Sequence, residues 1–177
     1  IHTANQKAMG LETRDQAKTA IYCLIYGGGA AKLGQIVKGT AKEGAQLKAR
    51  FEKAVPAYKK VNDAIKTALQ SRDYLIGLDG RKLPVRSDHS ALNLLLQSAG
   101  AVIMKKALVL FQHNHSTKPF NLHANVHDEV QFSCAKEDAE TLGQQFVNSI
   151  KDTAQVYDFK CPLDGEYSIG NNWKETH

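Results

Sequence analysis

The stretch TRDQAKTAIYCLIYGGG, residues 13–29, decides how the rest of the chain is read. Thr13 and Gln16 stand as a T-x-x-Q capping box, and Asp15 sits in the first turn, where the helix dipole favours an anion. The helix this predicts runs to Tyr26. It stops at Gly27-Gly28-Gly29, a run that no helix interior holds cheaply. Arg14, Lys18, Tyr22 and Tyr26 recur every four residues. Each step of four drifts about 40° and rises about 6 Å, so they form one row roughly 18 Å long. Two cations followed by two aromatics can grip a phosphate chain and then a sugar or base. Arg offers bidentate contacts to phosphate oxygens, and Lys a mobile charge or a proton. The same spacing also suits snorkelling cations with tyrosines packed at a lobe boundary.

Working outward, a short helix is expected over 30–37. Further helices are expected over 42–55, broken at Pro56, and over 57–70 with Val61, Ile65 and Leu69 on one face. LIGLDGRKLPVR, residues 75–86, reads as a hairpin with Asp79-Gly80 at its turn, and Pro84 suits an edge strand. Ser87 caps a long helix from Asp88 to His113, whose centre is apolar nearly all round and so expected to be buried. Asn93 and Gln97 lie one turn apart inside it. As buried amides they need partners, either one another's neighbours in the core or the acceptors of a bound minor groove. NLHANVHDEVQFSC, residues 121–134, forms two strand-like runs meeting at His127-Asp128-Glu129. Adjacent acids at a hairpin tip suit Mg²⁺ or Mn²⁺, though a solvated turn has the same composition and one pair is short of a two-metal site. A polar helix over 137–156 and a strand over 166–169 complete the fold, read as α+β and helix-rich.

The 177 residues carry a net charge of +5, unevenly placed. Residues 1–88 hold 16 Lys/Arg against 8 Asp/Glu, and residues 89–177 hold 7 against 10. A basic half joined to a mildly acidic one fits a polyanion held near a carboxylate site, or simply a solvated lysine-rich surface. An apolar fraction of 42% and a charged fraction of 23% exclude wholesale disorder. No run of 18 uncharged apolar residues occurs, so no membrane span is expected. The start lacks the basic-then-apolar order of a secretion signal. Cys23, Cys134 and Cys161 are odd in number and outside any CxxC pair, which argues for inert buried thiols and a reducing cytoplasm.

Together these pieces resemble one family. R-D-Q-A-K-x₃-Y-x₃-Y-G from Arg14 to Gly27 looks like the fingers helix of family A, polymerase-I-like, DNA polymerases. Val126-His127-Asp128-Glu129-Val130 resembles that family's metal-binding hairpin. Ile1-His2-Thr3 resembles an Asp-Ile-His-Thr segment cut just after its Asp. GLDGRKLPVRSDHSALNLLLQSAGA and the ending, with Trp173 four residues before His177, are similar to replicative polymerases of short-tailed bacteriophages.

The resemblance implies fingers over residues 1–88 and the C-terminal part of an antiparallel palm over 89–177. It implies that Arg14, Lys18 and His2 hold the triphosphate of a dNTP, with Lys18 able to protonate the pyrophosphate. Tyr22 would face the sugar and Tyr26 would pack beside the nascent base pair. Asn93 and Gln97 would touch primer–template DNA. His89 stands where bacterial members have Arg. Asp128 would ligate the catalytic metals, two Mg²⁺ or Mn²⁺ in the complete enzyme, with Glu129 supporting and His127 nearby. The family's other metal-binding Asp lies upstream of the Asp-Ile-His segment. A fragment beginning after it is expected to be inactive without the N-terminal part of the polymerase, and its shortened sheet invites a homodimer. In a phage-encoded protein the compartment would be the host cytoplasm.

Three other readings share some of these features. A single-subunit RNA polymerase has a similar helix, although Glu129 favours DNA synthesis. The remaining two are a non-catalytic DNA-binding module and a metal-dependent hydrolase using His127 and Asp128.

Overall fold

The computed structural model describes residues 2–177, with His2 described for its backbone alone. It is helix-rich, with two small antiparallel sheets, and divides into two compact units, Ile1–Gln97 and Ser98–His177. The division falls nine residues beyond the 88/89 boundary expected from the sequence.

In the first unit, α1 (His2–Met9) and α2 (Arg14–Ile25) are followed by α3 (Ala30–Ile36), α4 (Ala41–Ala54) and α5 (Pro56–Leu69). The Thr13 hydroxyl accepts from the Gln16 N–H at 3.1 Å, and the Gln16 side chain accepts from the Thr13 N–H at 3.1 Å. Met9, Ala17, Ala20, Leu24, Leu33, Leu47 and Phe51 form one core. The α3–α4 contact is close enough to exclude side chains at its centre. A Cβ added to Gly44 would stand 1.9 Å from the carbonyl oxygen of Ala30. A smaller core joins Ile65 of α5, Leu75 and Leu83 of the hairpin β1 (Tyr74–Ile76) and β2 (Lys82–Pro84), and Ala91 and Leu92. Gly80, at φ +81°, turns that hairpin as its sequence predicts.

Ala91 and Leu92 begin α6 (Ala91–Leu110), preceded by a 3₁₀ turn over Asp88–Ser90 and followed by a π-helical turn over Phe111–His115. From Asp88 to His115 this segment is long and apolar enough to cross a membrane by length and composition. Its two ends are instead anchored in cores: Ala91 and Leu92 in the first unit, Met104 and Phe111 in the second. The expectation of burial all round fails here. Leu96 is 46% exposed and Val109 48%, because each core takes only one side of the helix.

The second unit packs Met104, Phe111, Leu142 and Phe146 against the sheet residues Val130 and Phe132. Its hairpin is β3 (Asn121–Val126) with β4 (Glu129–Ser133), and its main helix is α7 (Ala139–Val156). Phe111, Phe120, Phe132 and Phe146 pack with ring centroids 4.8–6.2 Å apart, a range that favours tilted and edge-on contacts.

Three further expectations need correction. No strand forms over 166–169. The Tyr167 ring lies where a Cβ on Gly143 would stand, 2.5 Å from Cδ2, so the segment packs on α7, and among the described residues no strand pairs with it. The helices α1 and α8 (Trp173–Thr176) are additional to the sequence reading. Of the three cysteines, Cys161 is exposed, whereas Cys23 and Cys134 are partly buried. Burial raises the pKa of both of those thiols.

The contact at Gly44 carries a direct consequence. Gly44→Ala should lower stability by about 1–3 kcal/mol, the usual cost of overpacking. Urea unfolding followed by far-UV circular dichroism should show this as a lower midpoint.

Candidate active site

On α2 the packing decides which residues face out. Ala17, Ala20 and Leu24 are buried, whereas Arg14, Lys18, Tyr22 and Tyr26 are all exposed. The Tyr22 and Tyr26 rings lie 6.4 Å apart, tilted by 43°. Among the described residues, neither Arg14 nor Lys18 is engaged in an ion pair. Two cations and two aromatic faces therefore stand open along one helix face.

The end of the row meets a second set. Gly27 has φ +75°, and a Cβ there would lie 1.9 Å from the carbonyl oxygen of His89, so the chain passes the 3₁₀ turn with no room for a side chain. The Gln97 amide donates to the Tyr26 hydroxyl at 3.4 Å. Between His89 and Gln97 on the same helical spacing is Asn93, whose Oδ1 is buried without a hydrogen-bond partner among the described residues. An unpaired buried acceptor normally costs about 1–3 kcal/mol. The structure thus brings Tyr26, Gly27, His89, Asn93 and Gln97 together within the first unit. The side chain of His2 lies outside the described residues.

In the second unit, Val126 pairs with Glu129, leaving His127-Asp128 as a two-residue turn. His127 takes φ +55°, a left-handed conformation that His tolerates better than most residues. His127 and Asp128 are exposed. Glu129 is not free. Its Oε1 accepts from Gln131 Nε2 at 2.6 Å and from the Trp173 indole N–H at 2.9 Å, and its Oε2 meets His177 Nδ1 at 2.9 Å. The Gln131 amide first, then His177 and Trp173, hold the Glu129 carboxyl below the usual carboxylate range. The sequence reading missed Gln131, Trp173 and His177 as partners of Glu129. The available signal was an indole and an imidazole one helical turn apart at the chain's end.

The fit to a divalent ion is partial. Asp128 offers an open carboxylate, but among the described residues no group of three or more His, Cys, Asp or Glu is placed to hold a metal.

Residues 1–175 match the family model described as DNA polymerase family A. The chain belongs to that family. It is 43% identical to the DNA-directed DNA polymerase of Escherichia phage Phieco32, over all of this chain and 30% of that protein. To the DNA-directed DNA polymerase of Escherichia phage T7 it is 37% identical, over all of this chain and 28% of that protein. The chain therefore spans less than a third of the length of these curated relatives. A solved structure, the POL domain of Pol1 from M. smegmatis in complex with DNA primer-template and dNTP, superposes with a TM-score of 0.77. It is 19% identical over 92% of this chain and 31% of that one, a likeness of fold.

In this family A chain the state of Glu129 links to pH. A carboxyl held low in the folded state contributes stability above the unfolded Glu pKa of about 4.3, and that contribution is lost as pH falls through the folded value. Fluorescence of Trp173, the only tryptophan, should therefore show a step as pH falls below the ordinary Glu pKa of about 4.3. Glu129→Gln should flatten that step. A level wild-type trace from pH 5 to 3 would contradict the link.

Proposed function

We propose that this chain supplies the nucleotide-gripping helix and one metal-ligating carboxylate for template-directed DNA synthesis. Residues 1–88 serve as fingers and residues 89–177 as the C-terminal part of the palm. The observation that carries the reading is the open row of Arg14, Lys18 and Tyr22 on α2 with Tyr26 at its C-cap, opposite the buried face of Ala17, Ala20 and Leu24. Family membership and a fold shared with a polymerase domain support it.

Phosphoryl transfer depends on positioning and charge neutralisation more than on covalent help. Arg14 clamps the triphosphate oxygens through its planar fork, and His2 contacts the same phosphates. Lys18, lying between the phosphates and the tyrosines, adds a charge and can give a proton to the departing pyrophosphate. Tyr22 faces the sugar, and Tyr26, tethered by Gln97, packs beside the base pair being formed. His89, Asn93 and Gln97 line the primer–template side. When bound, two divalent ions would lower the pKa of the primer 3′-hydroxyl and steady the leaving group. Asp128 would hold them from this chain, with Glu129 and His127 beside it.

Two outcomes test the reading. The 177-residue chain by itself, with one open carboxylate at the hairpin tip, should not extend a primer. Robust Mg²⁺-dependent incorporation by the purified chain would contradict this. A chimaera in which the chain replaces the matched segment of the Phieco32 polymerase should extend primers with dNTPs in preference to ribonucleotides. In that chimaera Lys18→Ala should lower the single-turnover rate by about 10²–10³-fold, the scale seen when one transition-state donor is removed. Asp128→Ala should lower it at least as much. DNA binding that persists with no synthesis in the unaltered chimaera would favour a non-catalytic module.

A further inference from the structure

The C-terminal turn is built to hold one carboxylate. Asn172 caps α8 by accepting from the Glu175 N–H at 3.3 Å, and the Glu175 carboxylate accepts from the Asn171 N–H at 2.8 Å and the Asn172 amide at 2.8 Å. With the turn so ordered, Trp173, Thr176 and His177 fall at spacings of three and four, on one side of the helix. The Trp173 indole donates to Glu129 Oε1, and His177 Nδ1 lies 2.9 Å from Oε2. The Thr176 hydroxyl donates at 3.2 Å to Oε1 of Gln131, whose amide in turn donates to Glu129. The Trp173 and His177 rings stand edge to face, 6.4 Å apart. Both Glu129 oxygens are thus occupied by groups of the chain itself. Thr176 and His177 lie more than 40 residues beyond the strand β4 that they touch.

Glu129 closes the turn that presents Asp128, being the residue paired with Val126 across it. Holding Glu129 therefore fixes the turn at its base, and it helps hold His127 in its left-handed conformation. It also keeps the second acid of the tip from swinging toward a cation at Asp128.

We propose that Trp173–His177 is a clasp on the hairpin. In it Trp173 and His177 act as positioning residues through Glu129, leaving Asp128 as the carboxylate the tip presents to a divalent ion. This rests on the reading of Asp128 as a metal ligand. It adds a role for the end of the chain and removes Glu129 from direct ligation.

The test uses the 177-residue chain, with amide exchange and Mn²⁺-induced line broadening followed by NMR. His177→Ala and Trp173→Phe should each speed exchange at residues 126–130 about tenfold, as expected for losing a hydrogen bond to a charged group. Protection over Leu142–Val147 of α7 should stay as in wild type. In His177→Asn the side-chain nitrogen takes the place of Nδ1, so exchange should return to within about threefold of wild type, as one retained donor implies. Broadening of the Asp128 amide by Mn²⁺ should weaken in His177→Ala, recover in His177→Asn, persist in Glu129→Gln and vanish in Asp128→Asn.

Unchanged exchange at the tip, an equal rise in α7, or broadening indifferent to His177→Ala would overturn the clasp. Loss of broadening in Glu129→Gln would also overturn it. Broadening that survives Asp128→Asn would instead overturn the metal reading of Asp128, and the exchange measurements would still judge the clasp.

Discussion

The site depends on the burial of one narrow face of α2. Ala17, Ala20 and Leu24 enter the first core, where burying a leucine alone contributes about 1.5–3 kcal/mol. Rotating the helix by one residue, about 100°, would bring Leu24 out and drive a cation or a tyrosine in. A buried unpaired ammonium or guanidinium is far costlier than any gain in side-chain freedom. Small residues on one side thus force Arg14, Lys18, Tyr22 and Tyr26 to the other. The capping box at Thr13 sets where that helix begins, and the glycines after Tyr26 set where it ends. Gly27 then lets the chain pass the His89 carbonyl at a distance closed to any other residue.

The second unit solves a different problem. It holds an exposed acid, Asp128, on a two-residue hairpin turn. Four phenylalanines hold the sheet to its helices, and the strands bring Val126 and Glu129 opposite each other. On that two-residue turn Asp128 has no hydrogen-bond or ion-pair partner among the described residues, while Glu129 is tied back by side chains. Adjacent carboxylates are thus given different environments, which allows them different roles.

Much of this was legible in the sequence because local signals decided it. The capping box, the glycine run, Pro56 and the Asp79-Gly80 turn marked element ends through backbone chemistry that needs no tertiary partner. The row that begins on α2 followed from spacing alone, and family resemblance gave those spacings their expected roles. What escaped depended on contacts distant in sequence. The segment 166–169 has strand-like composition, but among the described residues no strand lies beside it to form a ladder. The centre of helix α6 is apolar nearly all round, and only the packing at its two ends shows which residues stay exposed. The Gln97–Tyr26 hydrogen bond and the grip of the C-terminal turn on Glu129 both join residues whose pairing no periodicity reports.

The central claim is that the cationic and aromatic row on α2 receives a nucleoside triphosphate. The most direct measurement is an NMR titration of the chain with a non-hydrolysable dNTP analogue, following backbone and side-chain resonances. The account predicts saturable shifts from Arg14 through Tyr26, reaching Gln97, and weakened by Arg14→Ala. Shifts confined to the lysines of α4 and α5, or an affinity untouched by that substitution, would contradict it.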